Sequence, residues 1–165
     1  TVLNSMVDDG NKFLGFNIKG FDVPIIKNFL GIEIPTEQII EISEMKKMVK
    51  IRKELGKEKP RLVDVCKLLG IECSHKELMD EKSELFKNRP QVLSKSKEGA
   101  IKFQNEFGWS PEFSFQRALK KICVGMAIID SFNEFVEMNG DQNSLFYKYA
   151  MGDVVAEHEV YLKLL

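Results

Sequence analysis

The sequence predicts a helix-rich α/β domain, and three observations carry that reading. Its 165 residues suit one domain, with 44% apolar and 30% charged residues, enough to bury a core beneath a solvated surface. The run Lys-Phe-Leu-Gly-Phe-Asn from Lys12 to Asn17 is short and aromatic, with Asp8-Asp9-Gly10 before it and Lys19-Gly20 after it, and reads as a buried strand. Most of the remaining chain repeats apolar residues every three to four positions, which is the helical period.

In chain order, Asp22 as a cap and Pro24 in the first turn open a helix in which Val23, Ile25, Ile26, Phe29 and Leu30 lead to Gly31. Pro35-Thr36 opens a longer helix to about Leu55, because Ile39, Ile40, Ile42, Met45, Met48, Val49 and Ile51 recur at helical spacing opposite Lys46, Lys47, Lys50, Arg52 and Lys53. Arg61 to Leu69 is a short amphipathic helix stopped by Gly70. Lys76 to Phe86 reads as a very polar helix. Between Lys87 and Lys102, Pro90 and the serines break the pattern, and Lys87, Arg89, Lys95, Lys97 and Lys102 face one acid, Glu98, so this stretch reads as a mobile basic loop. A long helical region follows from Pro111 to Met138, then a turn at Asn139-Gly140-Asp141 and a last helix from about Ser144. One strand alone has no sheet to join, which is the oddity in this pattern.

Composition excludes several classes. Lys plus Arg number 24 against 25 Asp plus Glu, a net charge of −1, so no global basicity points to nucleic acid and any charged site is local. Apolar runs are far shorter than the roughly 18 residues that span a bilayer, which excludes a membrane-spanning helix. Cys66, Cys73 and Cys123 are odd in number and form no Cys-x-x-Cys, which predicts reduced thiols and an intracellular location. Cys66, Cys73 and His75 lack a fourth partner for zinc. The chain opens on Thr1 rather than Met, and the expectation is a processed, truncated or excised piece.

The last helix carries the most information. At 100° per residue, Leu145, Phe146, Tyr149, Ala150, Ala156, Val160, Tyr161 and Leu164 share one face, and Asp153 lies near its middle. A carboxylate there costs several kcal/mol unless it is paired or binds a cation. Tyr149 sits one turn before it on the same face. The competing reading pairs Asp153 with a buried cation or amide and makes Tyr149 core. Asp22 is the second candidate, just after the strand where a helix begins, at the sheet edge where α/β proteins place their sites; ordinary helix capping competes with that role.

The segment Gly15-Phe16-Asn17-Ile18-Lys19-Gly20-Phe21-Asp22-Val23-Pro24 closely resembles the second exonuclease motif of family B DNA polymerases, Asn-x-x-x-Phe-Asp, as found in T-even phage polymerases. Tyr149-Ala-Met-Gly-Asp153 resembles the third motif of the same proofreading domains, Tyr-x-x-x-Asp. Lys59 to Gly70 also looks like a helix of that family, whereas residues 74–110 match nothing in it and stand as a helical, basic-loop insert. The resemblance implies an RNase H-like exonuclease fold and a metal-dependent 3′-5′ exonuclease acting on DNA ends, of the DEDD group in its tyrosine variety, with two Mg²⁺ or Mn²⁺ ions about 4 Å apart. It makes Asp22 and Asp153 metal ligands, gives Tyr149 the orientation of the attacking water, and has Asn17 and Phe21 hold the terminal nucleotide. His158 does not replace Tyr149, since the histidine variety would need an acid where Lys163 stands.

The family's first motif, Asp-x-Glu, occurs nowhere in the 165 residues, so the first strands of that fold are expected to be missing, which would explain the lone strand. A polymerase domain or a second chain that supplies those strands would then be a partner, beside single-stranded DNA and 3′ ends. The alternative is a catalytically inactive exonuclease-like module that binds single-stranded nucleic acid or a protein; a helical interaction domain without a nucleic-acid role comes third. Two cation-rich stretches suit a phosphate backbone: Lys46 to Lys59, and Lys87 to Lys102 with Lys95 and Lys97 as substrate contacts. Solvated faces are the competing reading for both.

Overall fold

The computed structural model describes all 165 residues. Where the sequence suggests one domain with an insert at about 74–110, the chain divides into two compact units, Thr1–Cys73 with Asp153–Leu165, and Ser74–Gly152. The break after Cys73 coincides with the start of the unmatched segment, but the second unit continues through Gly152. No helix is long and apolar enough to cross a membrane.

In the first unit, α1 (Val2–Asp8) precedes β1 (Phe13–Gly15), α2 (Asp22–Ile25) continues into a π-helical turn (Ile26–Leu30), and β2 (Ile39–Glu41) leads through a 3-10 turn (Ile42–Glu44) to α3 (Met48–Leu55) and α4 (Leu62–Leu69). The predicted helix from Pro35 to Leu55 is therefore corrected in its first half. Ile39-Ile40-Glu41 is extended and pairs parallel with β1, placing Phe13 opposite Ile39, Leu14 opposite Ile40 and Gly15 opposite Glu41. The two consecutive β-branched residues Ile39 and Ile40 favour a pleated surface over a helix, and the strand at Lys12 to Asn17 is not alone. The pair forms a two-stranded sheet, which confirms a mixed α/β chain at the level of class. Its core gathers Ile42, Met48, Ile51, Val65, Cys66, Ile71, Ala156, Val160 and Leu164, with Leu14 and Phe16 of the strand region packed against them.

The second unit holds a 3-10 segment (Ser74–Met79), α5 (Asp80–Glu84), α6 (Pro90–Phe107) and α7 (Pro111–Glu137). The polar helix expected from Lys76 to Phe86 is thus split. The basic loop expected from Lys87 to Lys102 is corrected outright, since Pro90 stands in the first turn of an 18-residue helix. Pro is well placed there because its missing N–H has no partner to lose. Ser96 and Ala100 are buried, the Ser96 hydroxyl donates to the Val92 carbonyl at 2.7 Å, and a Cβ on Gly99 would stand 3.2 Å from the Ala118 Cβ. Small residues let α6 lie close against α7, and Gly108-Trp109-Ser110 closes the helical hairpin. Met79, Phe86, Val92, Cys123 and Ala127 form this unit's core.

The last helix, α8 (Leu145–Leu164), is found where the sequence places it. Its residues through Gly152 belong to the second unit and those from Asp153 onward to the first.

Candidate functional site

The site grows from the carboxyl end of β1. Gly15 closes the strand, and a Cβ there would meet the Ile18 Cβ at 2.8 Å, so only glycine lets the chain fold back so tightly. Asn17 takes a left-handed conformation, φ 66°, and the Gly20 and Phe21 amides donate to its carbonyl at 3.2 and 3.1 Å.

One buried carboxylate fixes this loop. Glu41 Oε1 accepts the Asn17 amide at 2.7 Å, the Ser43 hydroxyl at 2.6 Å and the Ser43 amide at 3.1 Å, while Oε2 accepts the Lys19 amide at 3.2 Å. Burial pushes the Glu41 carboxyl up, but these donors outweigh it and hold the group below its ordinary value. Helix α8 adds a second tie, because Glu157 Oε1 accepts the Phe16 amide at 3.2 Å. Sequence reasoning missed both glutamates. The signal for Glu41 was an acid inside an isoleucine-rich run, read with the helical period.

Asp22 follows on this loop. The helix N-cap is Phe21, with no side-chain cap, and Asp22 is the first helical residue, which corrects the expectation that Asp22 caps α2. Partial burial pushes its carboxyl above the ordinary aspartate value, the charges of Glu41 and Asp153 add to that, and its own backbone N–H pulls the other way. Asp153 is half-buried on α8, one turn before Glu157. Its charge reaches Asp22 and also Cys66, whose thiol is pushed up to about 12 by burial, by Cys73 beside it, and by Glu159 and Asp153.

Of the sequence-predicted residues, the structure brings Asn17, Phe21 and Asp22 onto one short loop and sets Asp153 within electrostatic range of Asp22. The Phe21 ring is 61% exposed, available for stacking. Tyr149 lies in the second unit, packed against its core; its ring meets His75 edge-on at 6.1 Å and carries the Lys76 ammonium 5.2 Å from its centroid. Lys95 and Lys97 also belong to that unit and are exposed on α6.

Carboxylates such as Asp22 and Asp153 are the ligand type that hard divalent cations take. Glu41 is committed to the loop. No group of three or more His, Cys, Asp or Glu side chains is arranged to hold a metal. Comparison with family models, curated proteins and solved structures finds no match to this chain.

Proposed function

We propose that the chain is the framework of a metal-dependent 3′-5′ exonuclease acting on DNA ends, with an RNase H-like fold similar to polymerase proofreading domains. What supports this most is the placement of Asp22 at the carboxyl end of a parallel strand, beside Asn17 and Phe21 and in the same compact unit as Asp153 on the last helix. These are the two acids that the Asn-x-x-x-Phe-Asp and Tyr-x-x-x-Asp motifs contribute. Asp22 and Asp153 would hold one Mg²⁺ or Mn²⁺, which when bound supplies charge stabilisation at a phosphodiester. Phe21 would stack on the terminal base and Asn17 would contact its sugar-phosphate. Tyr149, to which the resemblance gives the orientation of the attacking water, belongs to the other unit, as do Lys95 and Lys97. With no Asp-x-Glu in the sequence, two of the four carboxylates of this chemistry are lacking, and that favours a second reading in which the chain holds a 3′ end without cutting it.

Fluorescence anisotropy of 3′-labelled single-stranded DNA, with and without Mn²⁺, separates the readings. Under the exonuclease-framework reading, binding depends on Mn²⁺ and the dependence disappears in Asp153→Ala, with little degradation from these 165 residues. Binding indifferent to Mn²⁺ supports the inactive module, and no binding contradicts both. Rapid degradation that Asp153→Ala abolishes would establish the nuclease and contradict the requirement for the missing motif.

A further inference from the structure

In the first unit a cleft of about 640 Å³ opens where α3 ends, lined by Arg52, Lys53, Gly56, Lys57, Glu58 and Lys59. The lining holds four cations, one acid and no apolar or aromatic side chain, so a ligand there is recognised by negative charge. Ordinary helix capping does not explain these cations. Gly56 is left-handed, and the Gly56 and Lys57 amides donate to the Lys53 and Arg52 carbonyls at 3.3 and 3.1 Å, so these end carbonyls of α3 already have partners. The helix end carries roughly half a negative charge, far less than four cations supply.

Three ties hold this short segment in place. Arg52 Nη2 donates to the Ser43 carbonyl, and Ser43 is itself bound to Glu41 through its hydroxyl and its amide. Lys57 pairs with Asp64 of α4 at 3.1 Å, and the buried Pro60 closes the segment after Lys59. The single charge of Asp64 is shared with Arg61, so Lys57 is only partly neutralised. Lys53 and Lys59 are exposed and engage no carboxylate. Lys50, by contrast, pairs with Glu54 at 3.8 Å, and Lys46 and Lys47 do not line the cleft. Glu58 is the one lining acid that opposes an anion.

We propose that this cleft binds a ligand carrying two or more linked phosphate groups, with Arg52, Lys53 and Lys59 as its contacts. One phosphate would leave cations uncompensated, whereas phosphates in a row give each ammonium and the guanidinium an oxygen of its own. A guanidinium suits phosphate through its planar N–H donors, and lysines add mobile point charges. With no ring to stack on, the cleft reads phosphates and not bases. Two sources offer this chemistry, a nucleic-acid backbone and a free polyphosphate such as the tail of a nucleoside triphosphate. Neither Asp22 nor Asp153 takes part, so the site stands or falls independently of the exonuclease reading.

The whole chain is titrated by calorimetry in EDTA with inorganic phosphate, tripolyphosphate and a short oligothymidylate, at about 50 and 200 mM salt. Tripolyphosphate is expected to bind saturably, more tightly than phosphate, and to weaken as salt rises. The double change Lys53→Gln with Lys59→Gln, at exposed positions, should weaken it about tenfold, and Glu58→Gln should tighten it about twofold. Lys120→Gln with Lys121→Gln makes the same change in net charge on α7, outside the cleft, and should alter affinity less than about twofold. Oligothymidylate that binds more tightly than tripolyphosphate and weakens with the Lys53 and Lys59 changes identifies a nucleic-acid backbone as the source. Oligothymidylate indifferent to those changes, beside tripolyphosphate that responds to them, identifies a free polyphosphate. No saturable binding of either ligand below about 1 mM, phosphate binding as tightly as tripolyphosphate, or equal losses in the two double variants would each overturn the proposal.

Discussion

Glu41 shows how one side chain converts chain topology into a site. It stands opposite Gly15 in the parallel register, and its carboxylate satisfies donors from the loop that carries Asn17, Phe21 and Asp22. Glu41→Gln removes an acceptor oxygen and the charge while leaving several amides in place, so a loss of about 2–3 kcal/mol is expected in chemical denaturation at neutral pH. The pH dependence has a definite sign. The folded-state Glu41 group is held below its ordinary value of 4.5, so its contribution is full above that value and fades as the pH falls through it toward the lower folded pKa; in Glu41→Gln that part of the acid dependence should vanish. Gly152 is a second single-residue constraint. A Cβ there would lie 2.2 Å from His75 Cγ and 2.3 Å from its Cβ, and His75 is buried. Gly152→Ala, normally favourable in a helix, should instead lower stability by about 1–3 kcal/mol or more, measured as a reduced denaturation midpoint; a gain would show that His75 can move aside.

The helices α4, α7 and α8 were legible because each has a long or clean amphipathic pattern and a recognisable start or stop, such as Ser110 accepting the Phe113 amide at 3.3 Å or Gly70 in left-handed conformation after Leu69. The elements that escaped did so for physical reasons. Ile39 and Ile40 fit the helical period by continuity with Ile42 and Met45, and only the pairing with β1 decides for a strand; such pairing is a tertiary term that propensity does not contain. In α6, the buried residues are Val92, Ser96 and Ala100, of which only Val92 is a sizeable apolar side chain, so no continuous hydrophobic stripe advertised the helix. Of the candidate site, Asn17, Phe21, Asp22 and Asp153 were legible through motif spacing, while Glu41 and Glu157 became visible only once a strand and a helix brought them to the same loop. The helical state of α6 is testable directly. Lys97 is exposed in its interior, so Lys97→Pro should cost about 3 kcal/mol or more, whereas in a mobile loop it would be nearly silent. Urea denaturation of the variant against Lys97→Ala distinguishes the two.

At the scale of the whole molecule, each unit has its own buried core, and the acids Asp22 and Asp153 belong to the same one. Asp22 is an acid held above its ordinary value. Its ionisation therefore opposes folding: the penalty is absent well below pH 3.8, sets in as the pH rises through the folded pKa, and is fully present at neutral pH. A cation bound by both carboxylates would relieve it, as would removing one charge. The most direct test is the melting temperature at pH 7 of the wild-type chain, Asp22→Asn and Asp153→Asn, each with and without Mn²⁺. Without metal, Asp22→Asn should melt above wild type. With Mn²⁺ at ten times its dissociation constant, the wild type should gain about 1.4 kcal/mol, a rise of roughly 3–6 °C, and neither variant should respond. A wild-type curve indifferent to millimolar Mn²⁺, or a rise that survives in both variants, would contradict a shared cation site at Asp22 and Asp153.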